Sequence, residues 1–243
     1  MVALSKSSKK LIGIMIVVSL LAVGIASVYY KNLNATVDPR TAEIQQLQKK
    51  YSMYVSQNDF ENVLSVLDSI ETMYNEIPHY KDSYEVGVLN ANRASVYITS
   101  ALYIQRDEDE KEGYLVFAES SLEKSLSIYD AWNAKYSELN DIELNDLIRS
   151  EFDNNTGNKI IIRRIKEIRA ALVEINRRYS VAFTNLGIVK RHQEKQLEAI
   201  ELYKKAIDLW GENHTAKSNL NVLLGGDPIK QSFIKKLFPP EKE

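Results

Sequence analysis

Three histidines, His79, His192 and His214, are the only imidazoles in the chain, and cysteine is absent. Without cysteine there is no disulfide, no thiolate metal site, no cysteine nucleophile and no acylated lipoprotein anchor. The histidines do not form a zinc-type motif such as His-Glu-x-x-His, and His192 and His214 fall in separate helical patterns. The acidic run Asp107–Glu110 could supply oxygen ligands, but its spacing and the following glycine do not match a calcium loop, so it reads as a solvated acidic turn. No Gly-x-Ser-x-Gly elbow, Walker loop or dinucleotide glycine fingerprint occurs. The chain therefore offers no catalytic, cofactor-binding or metal-binding residues, and an enzymatic function has no positive support.

The chain has 243 residues, 44% hydrophobic and 26% charged, with a formal net charge of -2. That balance carries no polyanion-binding signal. Arg163, Arg164, Lys166, Arg169, Arg177 and Arg178 alternate with glutamates beside an apolar stripe of Ile161, Ile165, Ile168, Leu172 and Ile175. They read as a solvated amphipathic face, so nucleic acid is not an expected partner. Five prolines, nine glycines and no alternating strand pattern predict an all-α fold.

Residues 1–10 are basic, with Lys6, Lys9 and Lys10. Leu11–Tyr30 (LIGIMIVVSLLAVGIASVYY) carries no charge, and at about 1.5 Å per residue it matches the hydrocarbon thickness of a bilayer. The expectation is an uncleaved transmembrane helix contacting the lipid bilayer. A cleaved signal peptide is the competing reading, but the run is longer than a signal core and Tyr29-Tyr30 make a poor exit. The lysine excess before it, against Lys31 and Arg40 after it, places the N-terminus in the cytoplasm and the large domain outside, periplasmic in a bacterium.

Residues 31–40 form a linker, and 41–228 a helical domain. Ile44, Leu47, Tyr51 and Tyr54, then Phe60, Val63, Leu64, Leu67, Ile70 and Tyr74, predict a helix hairpin ending before Pro78. Ser83–Ile104 and Gly113–Tyr136 predict a second hairpin, joined by the charged loop Arg106–Glu112. Leu139–Phe152 and Lys159–Tyr179 predict two more helices, divided by Asp153–Asn158.

The segment Ser180–Asn213 then reads SVAFTNLGIVKRHQEKQLEAIELYKKAIDLWGEN. Phe183, Asn185-Leu186-Gly187, Ala199, Tyr203 and Ala206 alternate large and small residues as two closely approaching helices require. The segment resembles a tetratricopeptide repeat. Lys190 stands where that family usually has an aromatic residue, and Gly211 replaces the terminal proline. Thr215–Leu224 resembles the first helix of a further repeat or a cap. The earlier hairpins fit as diverged repeats, with bulky Tyr51 where a small residue belongs.

The resemblance implies an α-solenoid of helix hairpins behind the membrane helix. It also implies a concave groove lined by first helices, which takes a peptide or partner helix. In that register Val181, Thr184, Asn185, Ile188, Arg191 and His192 would face the groove, extended by Thr215, Ser218, Asn219 and Val222. Thr184 and Ile188 occupy places where chaperone-binding members carry the lysine and asparagine of a carboxylate clamp, so no clamp is expected. Residues 229–243 form a basic amphipathic tail that either packs back over the last repeat or touches a membrane or partner. Asn34, Asn154 and Asn213 begin Asn-x-Thr triplets, relevant only in a eukaryotic source.

The function expected is a membrane-anchored scaffold that binds other proteins of an envelope complex, with no small-molecule substrate. The alternative is an organelle import or targeting receptor with its repeats in the cytosol. An enzyme is the least favoured reading.

Overall fold

Polar side chains cap the starts of several helices. The structure, a computed structural model, describes residues 36–105, 107–153 and 156–229. A 3-10 turn, Pro39–Thr41, leads into α1 (Ala42–Gln57), which ends at Asn58 in a left-handed conformation, φ 55°. The Asp59 side chain accepts from Asn62 N and opens α2 (Phe60–Glu76), which stops before Pro78. Next come α3 (Tyr84–Thr99), a π-helical turn (Ser100–Ile104) and α4 (Glu108–Tyr136). A capping box of Asn140 and Glu143 starts α5 (Asp141–Ser150). The remaining helices are α6 (Asn158–His192), α7 (Gln196–Leu209) and α8 (His214–Leu223).

The described helices stack as successive hairpins: α1 on α2, α3 on α4, α6 on α7. Between hairpins α2 meets α3, α4 meets α6, and α7 meets α8, while α5 packs on α6 as an insertion. The hairpins share a register. Val63, Leu67 and Ile70 in α2, Ser125, Tyr129 and Trp132 in α4, and Ala199, Tyr203 and Ala206 in α7 repeat one spacing, and all nine are buried. In two hairpins the central tyrosine lies flat on a glycine of the preceding helix. A Cβ on Gly87 would stand 2.5 Å from the Tyr129 ring, and one on Gly187 would stand 2.6 Å from Tyr203. Only glycine lets these helix pairs approach so closely.

Three departures from expectation have local causes. The expected charged loop at 106–112 is mostly helix: Asp107 caps Asp109 and Glu110, and Glu108–Glu110 sit in the first turn of α4, where the helix dipole favours carboxylates. The expected boundary between Tyr179 and Ser180 does not exist, because no breaker interrupts the periodicity there, so α6 runs on as one helix of 35 residues. Lys190, at the repeat's usual aromatic place, pairs with Glu119 at 2.5 Å and with Glu198 at 3.3 Å instead of packing in the seam.

The membrane-spanning architecture is corrected. Among the described residues no helix is long and apolar enough to cross a membrane: α1, α2, α3, α5, α7 and α8 have 17 residues or fewer, and the longer α4 and α6 carry charges along their length. Leu11–Tyr30, on which the expectation rests, lies outside the described residues, as do the linker start and residues 230–243. The described residues are all-α, with no transmembrane helix among them. The single-pass localisation, cytoplasmic N-terminus and periplasmic domain included, has no spanning helix to rest on among the described residues and is set aside.

Candidate partner-binding face

The helices that open the second and third hairpins lie side by side: α3 touches α6, and α6 touches α8. Asn185 Nδ2 donates to Ser95 Oγ across the α3–α6 seam at 3.3 Å. On this row the expected groove residues divide into two sets. Val181, His192 and Thr215 are exposed, and Asn185, Ile188, Arg191, Asn219 and Val222 are half-buried, so all eight offer surface. Thr184 and Ser218 do not offer it in the way expected.

Thr184 is buried within a polar knot. Its hydroxyl donates to Ser180 O at 2.7 Å and accepts from Asn213 Nδ2 at 2.8 Å. Asn213 also donates to Ser180 Oγ and accepts from Ala216 N, capping α8, while Ser180 Oγ donates to Ala206 O. Every polar group in the knot finds a partner, as burial demands. The knot ties α6, α7 and α8 together. Asn213 is only 3% exposed, so its Asn-x-Thr triplet does not offer a glycan acceptor; Asn34 and Asn154 lie outside the described residues. Ser218 Oγ is engaged by Ile229 N at 3.1 Å.

Two features escaped the sequence reading. Ser95, and Asn92 one turn before it, extend the row onto α3; the signal was Gly87, which stands in α3 as Gly187 stands in α6. The second feature is an apolar surface at the far end of the α3–α4 hairpin. Tyr103 and Phe117 are 82% and 57% exposed, and the Tyr97 ring lies 6.0 Å from Tyr114 and 5.5 Å from Phe117.

Two ionic clusters hold the row in place. Arg93 Nη2 stands 2.7 Å from both Asp68 and Glu71, Lys124 Nζ lies 2.6 Å from Glu71, and Asn90 bridges Glu71 to Arg93. Arg164 forks onto the Glu85 carboxylate and stacks 4.4 Å over the Tyr80 ring. Burial pushes the Glu71, Glu85 and Glu119 carboxyls up. Their cationic and amide partners outweigh it and hold all three below the usual carboxylate value. His192 is lowered by partial burial, then by Arg191 and Lys111; His79 is lowered by burial, then by Arg40.

These directions fix how stability should depend on pH. A group whose pKa is depressed on folding favours the unfolded chain once acid begins to protonate that chain. The two histidines should therefore lower stability as pH falls below about 6.5. The three carboxylates contribute stability above about 4.3, and it is lost as pH falls through their lower folded values. Urea midpoints should fall in two steps between pH 8 and pH 3, and His79→Gln with His192→Gln should erase the upper one. A wild-type midpoint that is flat from pH 7 to pH 5 would contradict this.

Among the described residues no group of three or more histidine, aspartate or glutamate side chains is placed to hold a metal ion. A small polar cavity of about 20 Å³, roughly one water, lies among Asp38, Tyr80, Arg163, Arg164 and Glu167. An open depression of about 730 Å³ is lined by Leu47, Ser65, Asp68, Ser69, Thr72 and Met73. Neither includes a residue of the expected groove. No protein-family model matches the chain, and no curated protein matches it.

Proposed function

We propose that this chain is a tetratricopeptide-like adaptor that binds another protein along the α3–α6–α8 face. The observation that carries the reading is the common register of the hairpins. The glycine–tyrosine contacts of Gly87 with Tyr129 and Gly187 with Tyr203 close the α3–α4 and α6–α7 hairpins alike, and α6 lies against both α3 and α8. Stacked hairpins in one register build an extended surface suited to a peptide or a helix. Small and amide side chains, Ser95, Asn92 and Asn185, lie in the middle of the row, with Ile188 beside them as an apolar anchor. Arg191 and His192 stand at one end, where Lys111 adds positive potential. Among the described residues Arg191 forms no ion pair. That end favours a segment bearing carboxylates, by charge complementarity.

The test replaces the middle of the row. Asn185→Arg with Ile188→Glu should leave far-UV circular dichroism unchanged and reduce capture of cross-linked partners at least tenfold relative to wild type. Arg191→Glu should weaken the same capture and reduce its salt dependence. Equal recovery of the same partners by wild type and by the double variant overturns the reading.

A further inference from the structure

The segment that leads into α1 is fastened by side chains. Thr36 Oγ1 accepts from Arg163 Nη1 on α6 at 3.1 Å. The Asp38 carboxylate accepts from Arg40 N and Nε at 3.0 Å and from Arg40 Nη2 at 2.7 Å. That fork holds the Arg40 guanidinium over the Phe152 ring, 5.0 Å from its centroid, just past the end of α5. The His79 ring, in the turn between α2 and α3, stacks on the same Phe152 at 4.7 Å and 22°. Arg40 Nη1 stands 3.3 Å from His79 Nε2. A guanidinium can only donate, so this hydrogen bond requires a lone pair on Nε2 and a neutral imidazole with its proton on Nδ1. An imidazolium there would set two cations side by side with no hydrogen bond between them.

We propose that Arg40, His79 and Phe152 form a proton-released clasp: protonation of His79 breaks it, freeing residues 36–41 from α5 and letting the α1–α2 hairpin open while α6 stays folded. The charges facing His79 come from three elements. Arg40 and Asp38 lie on the entry segment, Glu151 at the end of α5 and Arg164 on α6; Asp153 faces Arg40. Asp38 is committed to Arg40, Glu151 pairs with Lys135 at 2.6 Å, and Arg164 pairs with Glu85, so Asp38 and Glu151 already answer other cations. Burial, then Arg40, hold the imidazole below its ordinary value, so the closed form takes up fewer protons than the open one. Acid therefore favours opening, beginning as pH falls through about 6.5. Opening uncovers the apolar cluster that Ile44, Val63 and Leu67 share with Val86 and Leu89 of α3. The proposal stands whatever binds the α3–α6–α8 face.

The test is amide exchange of the full-length chain at pH 7.5 and pH 5.5, corrected for intrinsic rates. Exchange in residues 40–57 should accelerate about threefold or more at the lower pH, with residues 160–189 unchanged. His79→Phe, which keeps a ring against Phe152 and cannot titrate, should abolish the acceleration, and so should His79→Gln. Arg40→Gln, followed by NMR titration of the imidazole, should raise the His79 pKa, an effect that a merely structural histidine would not show. Unchanged wild-type exchange between the two pH values overturns the proposal. So does equal acceleration in His79→Phe and His79→Gln, which assigns the effect to another group. Equal acceleration in residues 160–189, the mark of global unfolding, overturns it too, as does a His79 that titrates alike in Arg40→Gln and wild type.

Discussion

Tyr203→Ala is expected to destabilise the fold by about 3–5 kcal/mol, and in its background Gly187→Ala should change sign. Tyr203 is fully buried, and its ring fills the space a Cβ on Gly187 would claim. In the native background an alanine there must displace a locked aromatic ring, an overpacking cost of about 1–3 kcal/mol. Better helix propensity returns about 1 kcal/mol. Once the ring is gone the clash disappears and only the propensity gain remains, so Gly187→Ala becomes neutral or stabilising. Tyr129 and Gly87 should behave alike, with a larger loss, since Tyr129 also meets the Tyr84 and Tyr179 rings. Urea unfolding of the four-membered mutant cycle reads this coupling directly. Additive effects would mean that the glycines are not there for the tyrosines.

Glu85→Leu is expected to cost more than Arg164→Met, although the two side chains form one pair. Arg164 is 4% exposed, whereas the Glu85 side chain keeps 27% of its surface. Removing the glutamate leaves a guanidinium in the interior with only Glu167 at 3.6 Å to answer it. Breaking a buried pair from that side costs about 3–5 kcal/mol. Removing the arginine leaves a carboxylate that water can partly reach, so the loss is smaller. The double variant should recover most of the stability, because neither charge then has to be desolvated. Thermal melts at matched ionic strength distinguish the three. Equal losses from the two single variants would contradict the asymmetry.

Helix starts and stops were largely legible, because they depend on neighbours in sequence. Asp59, Asn140 and Pro78 act within one turn of themselves. Residues 107–112 misled because a run of charges has no apolar period, and the capping role of Asp107 shows only once the helix behind it is known. The continuity of α6 was hidden for the opposite reason. A 34-residue frame implies a turn before Ser180, yet Ser180 sits inside the helix with its hydroxyl turned onto Ala206. Thr184 could not be told from a groove residue, since its burial depends on Asn213, a partner two helices away. The pairing of Gly87 with Tyr129 was invisible because the long ends of α3 and α4 stretch that hairpin beyond the usual repeat length. The side-by-side placement of α3 and α6 therefore had to come from structure.

The unbroken α6 has a consequence for how the molecule comes apart. Arrays of repeats normally unfold as a chain of nearest neighbours, with each turn between units a place where one can fray while the next holds. Here a single rod about 50 Å long carries Ile161 and Ile168, buried with Phe152 and Ile148 of the insertion, at one end, and Leu186 and Val189, buried with Leu122 of α4, at the other. No hinge separates the two neighbourhoods. Melting either one removes the template of the other, so the insertion and the last complete hairpin form one cooperative unit, and α1 and α2 are left as the part free to open alone.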